Sequence, residues 1–174
     1  VIRTMSNRED LLELARLIRR LEAETENASI SILSHENRDE IGGALTEGLG
    51  GSAAVQTSSG EYANHLAIIR MGANKYTIAQ DWREVYISEI NYCPCRIPPG
   101  SHGLLVYHID YPGVIYDVSR ILADNQINIS KLNVSREQKG KNALLVSITD
   151  EEISSEVAAA IETLPQIAKV FSLK

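Results

Sequence analysis

The chain changes its conformational habit abruptly at Pro112-Gly113, and this switch constrains the fold more than any other feature. Upstream, Leu104 to Tyr107 is an apolar run too short for a buried helix and right for a central strand. Downstream, Val114, Val118, Ile121 and Leu122 recur at helical spacing and make one apolar face. Pro112 suits the first turn of a helix, where its missing N–H costs nothing, and Gly113 lets backbone approach closely. A strand that breaks into a helix leaves unpaired N–H groups at the helix N-terminus, which suits a small carboxylate.

The residues beyond this helix complete one small domain. Ile127 to Ser135 alternates, with a shift near Ser130 and Lys131 that predicts a bulge or twist. Arg136 to Lys141 is a charged hairpin turn and Ala143 to Thr149 a strand. Asp150 or Ser154 is the expected cap of a helix carrying Ile153, Val157, Ala160, Ile161 and Leu164. Pro165 stops it, and Ile167 to Leu173 returns as a strand. The fold class is therefore α+β. Residues 103–174 form a ferredoxin-like βαββαβ domain with both helices on one face of an antiparallel sheet, preceded by a mixed α/β domain.

In residues 1–98, Ser6-Asn7-Arg8-Glu9 has capping-box spacing before a helix with Leu11, Leu14, Ala15, Ile18 and Leu21 on one face. Ala28 to Leu33 reads as a short strand. Asn37 to Glu40 repeats the capping pattern before a helix through Leu49. Gly42, Gly43, Gly48, Gly50 and Gly51 match no phosphate-loop spacing and are expected to give close packing and a helix stop. Tyr62 to Met71, Lys75 to Ala79 and Glu84 to Ile90 are strand candidates, with a hairpin turn at Gly72 to Asn74. Asn91 to Ser101, with three prolines, reads as extended linker; the boundary is placed at 99–102.

Composition removes several function classes. At 174 residues, with 44% apolar and 23% charged residues and a net charge of −6, the chain has ample sequence for a core and no basic stripe for nucleic acid. No run approaches the roughly eighteen apolar residues of a membrane span, and no signal peptide is evident, so a cytoplasmic location is the default. The first residue is Val, and a fragment of a longer protein is expected. Cys93 and Cys95 read as ordinary thiols, because two thiols cannot complete a metal site. The four histidines have no metal-ligand spacing, and no nucleophile motif is present. No catalytic residue, metal or cofactor is assigned to this chain.

One place remains for chemistry. His108 and Asp110 share a strand face just before the turn. Asp110 would meet an ammonium while the backbone N–H groups of Gly113, Val114 and Ile115 meet a carboxylate. Equally open is that both residues merely decorate a strand end or a dimer contact. Asn128, at the start of the next strand, is expected beside the same turn or is an ordinary turn amide.

The segment HIDYPGVIYDVSRILADNQINIS closely resembles the ACT domain, a small amino-acid-sensing module appended to metabolic enzymes. The resemblance covers 103–174 and implies edge-to-edge pairing of two copies, with the effector at their interface. It implies serine-binding contacts at His108, Asp110 and Asn128, with the Gly113–Ile115 turn packed on the ligand. Tyr111 replaces the usual Arg, and Asp110 stands where some serine sensors carry Asn. SGEYANHLAIIRM and EINYCPCRIPPGSHGLLVYHID are similar to the intervening, ASB-like domain of D-3-phosphoglycerate dehydrogenases. The iron–sulfur L-serine dehydratase β region has a related layout, but its SSSHT, GHGTD and HPNT motifs are absent. The resemblance implies an amino-acid-sensing regulatory region, with L-serine the first candidate and a catalytic domain or subunit as partner. The alternatives are a dehydratase β subunit and an ACT-based oligomerisation module without ligand.

Overall fold

The computed structural model describes residues 2–23, 26–60 and 64–174, with the side chains of residues 2–6 outside that description. The chain divides into two compact units: 1–91 with 96–100, and 92–95 with 101–174.

The first unit opens with α1 (Ile2–Leu21), followed by β1 (Ser29–Ile32), α2 (Arg38–Gly48), β2 (Ala54–Thr57), β3 (His65–Met71), β4 (Asn74–Gln80) and β5 (Val85–Ile90); β6 (Cys93–Ile97) is divided, its first three residues counted with the second unit. The strands form one sheet in the order β2-β1-β3-β4-β5-β6, with β2 parallel to β1. Leu11, Leu14, Ala15, Ile18 and Leu21 are buried, as their spacing requires. Gly48 has a clear packing reason: a Cβ there would collide with the Cβ of Ala15 and the carbonyl of Leu12, so α1 and α2 approach closely only through glycine.

Several expectations for this unit are corrected. The first helix already runs from Ile2, so Ser6 lies within it rather than capping it. Asn37 is the N-cap of α2, but its left-handed backbone (φ 54°) makes no side-chain capping bond. Tyr62, the expected start of a strand, lies outside the described residues; β3 begins at His65. The stretch read as linker holds the edge strand β6, where Pro94 is tolerated because edge positions need not donate. Strand β2, wholly exposed, had no periodic signal to reveal it.

The second unit runs β7 (His102–Ile109), α3 (Val114–Asp124), β8 (Ile129–Arg136), β9 (Asn142–Thr149), α4 (Ser155–Glu162) and β10 (Ile167–Ser172). His102, read as linker, already belongs to β7. The sheet order β10-β7-β9-β8, antiparallel throughout, is the ferredoxin-like topology. Its core joins Leu104, Val106 and Leu145 of the sheet to Val114, Val118 and Leu122 of α3, and to Val157 and Ile161 of α4. Each such side chain contributes about 1.5–3 kcal/mol on burial. Ala160 is exposed, and Ala158 packs on the core instead. The bulge falls where expected, between Ile129 and Lys131. Ser154 is the cap of α4, its hydroxyl accepting from the Val157 amide at 3.2 Å. Pro112 precedes the helix rather than entering its first turn, and Gly113 (φ 98°) is the N-cap of α3.

Candidate functional site

The turn between β7 and α3 is built by backbone geometry. Gly113 adopts a left-handed conformation that other residues rarely take, and it has no side chain to cap the helix. The first amides of α3 therefore lack a side-chain capping acceptor, and the helix dipole adds partial positive charge at the same place. Gly113 and Ile115 are exposed at this turn, while Val114 turns inward to the core.

His108 is only 2% exposed. Its Nδ1 lies 2.9 Å from the carbonyl oxygen of Ile109, which can only accept, so Nδ1 carries the hydrogen. In the neutral ring Nε2 is then an acceptor, and it is buried without a partner. An unfilled buried acceptor is costly, and a ligand's ammonium or hydroxyl would satisfy it. The His108 ring stands edge-on to Tyr111. Tyr111 in turn donates to Asp117 at 3.5 Å, and burial, with Asp117 nearby, pushes its hydroxyl pKa up.

Asp110 is already engaged. Its Oδ2 accepts from Arg136 Nη1 at 2.6 Å and from the Gly140 amide at 3.0 Å. The Gly140 amide and then the Arg136 guanidinium hold its pKa below the usual 3.8. These two residues belong to the β8–β9 hairpin, which the register Arg136↔Ala143 and Ile109↔Asn142 brings beside the end of β7. The sequence marks them only as turn residues, because nothing local couples position 136 to position 110.

Asn128 is not at this turn. Both β7 and β8 run antiparallel to β9, and Ile129 and His102 both pair with Thr149, at the opposite end of the sheet. The eight residues of β8 span roughly 25 Å at about 3.3 Å each, so a single copy cannot bring Asn128 to Asp110. There the Asn128 side-chain amide donates to Asp150 at 2.7 Å, and its backbone amide donates to Glu151 at 2.7 Å. The expectation that Asn128 lies beside the turn of its own chain is thus corrected by strand direction.

Among the described residues no cluster of His, Cys, Asp or Glu could hold a metal ion, and no helix is long and apolar enough to cross a membrane. Cys93 is buried and Cys95 half-buried, and the two are not joined in a disulfide. In the first unit an open groove of about 500 Å³ lies beside α2 and β2, lined by residues including Ile32, Gly42 and Val55.

Comparison with known proteins agrees with this architecture. Residues 102–166 match the family described as the ACT domain. The chain is similar to D-3-phosphoglycerate dehydrogenase of Bacillus subtilis (strain 168), with 29% identity over 139 residues, 77% of this chain and 26% of that protein. D-3-phosphoglycerate dehydrogenase 3, chloroplastic, of Arabidopsis thaliana is 35% identical over 71 residues, 41% of this chain and 12% of that protein. Homoserine dehydrogenase of Methylobacillus glycogenes is 39% identical over 64 residues, covering 34% and 16% respectively. The chain spans about a quarter or less of the length of these curated relatives. The turn from Asp110 to Ile115 therefore lies within the stretch that matches the ACT domain, in a chain that is similar over part of its length to D-3-phosphoglycerate dehydrogenases.

Proposed function

We propose that this chain is the amino-acid-sensing region of a cytoplasmic serine-metabolism enzyme, and that L-serine is its effector. The observation that carries the reading is the buried, unpartnered acceptor of His108 beside a carboxylate and an uncapped helix N-terminus. A free amino acid complements all three: its ammonium and hydroxyl are donors, and its carboxylate suits the helix amides. His108, Asp110 and the Gly113–Ile115 turn would come from one copy and Asn128 from a second.

Strand β8 is an edge of its sheet, and Leu132 (40% exposed) and Val134 (36%) leave apolar surface on it. Antiparallel pairing of β8 with its own copy about a two-fold axis would send the partner's strand start toward the Arg136 end of this one. That is the end where Asp110 stands. The effector would then stabilise one dimer arrangement, and differential affinity for two arrangements is what carries a signal to a catalytic domain.

Mass action gives the test. At a hundredfold excess over Kd, L-serine stabilises the folded chain by about 2.7 kcal/mol, raising the melting temperature by about 5–10 °C. A panel of amino acids in a melting assay reads this directly. A stable dimer indifferent to all of them would leave the domain as an oligomerisation module.

A further inference from the structure

We propose that Arg136 makes this site selective for a zwitterion, and that ligand entry proceeds as an exchange of ion pairs. This inference rests on the amino-acid site proposed at the Asp110–Ile115 turn and assigns the basis of its specificity. Asp110 directly follows β7 and Arg136 closes β8, and the start of β9 lies between them, so the two side chains meet at one edge of the turn. Both bonds to Asp110, from Arg136 Nη1 at 2.6 Å and Gly140 N at 3.0 Å, converge on Oδ2. The guanidinium thus occupies the place that a ligand ammonium would take.

Charge balance then dictates what can enter. A simple amine would neutralise Asp110 but leave Arg136 without its counter-charge. A simple acid would draw Arg136 away and strand Asp110. An α-amino acid carries both charges on one carbon: its ammonium takes Asp110, its carboxylate pairs with the released guanidinium while accepting from the helix amides, and net charge is conserved. Arg136 is half exposed, so its side chain has room to turn from one carboxylate to the other. A guanidinium is suited to this, since its several donors let it hold a carboxylate through two parallel bonds. The buried Nε2 of His108 adds an acceptor two residues from Asp110 and favours a ligand with one more donor, such as a hydroxyl. A second consequence falls on the hairpin. Gly140 loses its acceptor when Asp110 turns to the ammonium, so the 136–141 turn reports ligand entry.

Calorimetric titration of the whole chain with L-serine and L-serinamide tests the proposal. The amide keeps the ammonium and hydroxyl but lacks the carboxylate charge. The wild-type chain should prefer L-serine, and Arg136→Gln should reduce that preference by about fivefold, the scale of one partly exposed ion pair. Arg136→Lys, which keeps the charge, should retain part of it. Hydrogen exchange at the Gly140 amide should quicken on adding L-serine to the wild type. If the wild type binds L-serine and Arg136→Gln keeps the wild-type preference, the exchange mechanism is overturned while the amino-acid site stands. If the wild type binds neither compound, the site reading fails and takes this inference with it.

Discussion

At the scale of single residues, the second unit depends on positions where a side chain would have no room. Gly103 sits in β7 with φ 153°, and a Cβ there would run into the carbonyl oxygen of Ser147 on the paired strand. Because that obstacle is backbone within a central strand pair, it cannot swing aside as a flexible side chain would. Gly103→Ala is therefore expected to destabilise by about 3 kcal/mol, lowering the melting temperature by about 6–12 °C. Thermal unfolding followed by circular dichroism checks this, and a variant that melts within a degree or two of the wild type would refute the close approach. His108 and Asp110 show a different dependence. Their identities were readable from the sequence as polar groups flanking a turn. Which of them is unsatisfied was not, because that is set by Ile109, Arg136 and Gly140 together.

Among the elements, the β4–β5 hairpin shows how a turn is locked by charge. Asp81 Oδ1 accepts from the amides of Arg83 and Glu84, at 2.8 and 2.9 Å, and Oδ2 accepts from Arg96 at 2.7 Å. Arg96 also bonds Glu84 and lies over the Tyr86 ring at 3.8 Å. The Glu84 amide first, then Arg96 and the Arg83 amide, bring the Asp81 pKa down from 3.8 to about 2. A carboxylate lowered in the folded state contributes stability above its unfolded pKa, and that contribution is lost as pH falls toward the folded value. The Asp81 contribution should be complete above pH 5 and fade between about pH 4 and pH 2. In Asp81→Asn the stability difference from wild type should shrink over that window, as read by denaturant unfolding at several pH values. A constant difference down to pH 2 would show that the carboxylate charge is not what holds the turn. Glu84 and Arg96 lie in segments read from sequence as a strand and a linker, so this network was invisible until the edge strand β6 brought them together.

For the assembled molecule, the decisive property is the direction of strands. Because β8 runs parallel to β7 in the sheet, one copy cannot gather Asn128 with Asp110. A sensor using both must be at least a dimer. The proposed pairing through β8 predicts twice the chain mass by light scattering at micromolar concentration. Leu132→Glu, which places a charge on that exposed apolar edge, should return the chain to a monomer without unfolding it. A variant that stays dimeric would move the interface elsewhere. What the sequence determined by itself was local: helices and strands of the second unit, an irregularity near Ser130, a cap at Asp150 or Ser154, and the turn at Gly113. Each depends on periodicity or on the φ a residue tolerates, and both act over a few positions. The tertiary structure alone decided that Arg136 and Gly140 close on Asp110, that Asn128 stands at the far end, and that Cys93–Ile97 pairs as an edge strand. Those facts follow from sheet order and register, which are fixed by pairing and packing between segments that share no local signal.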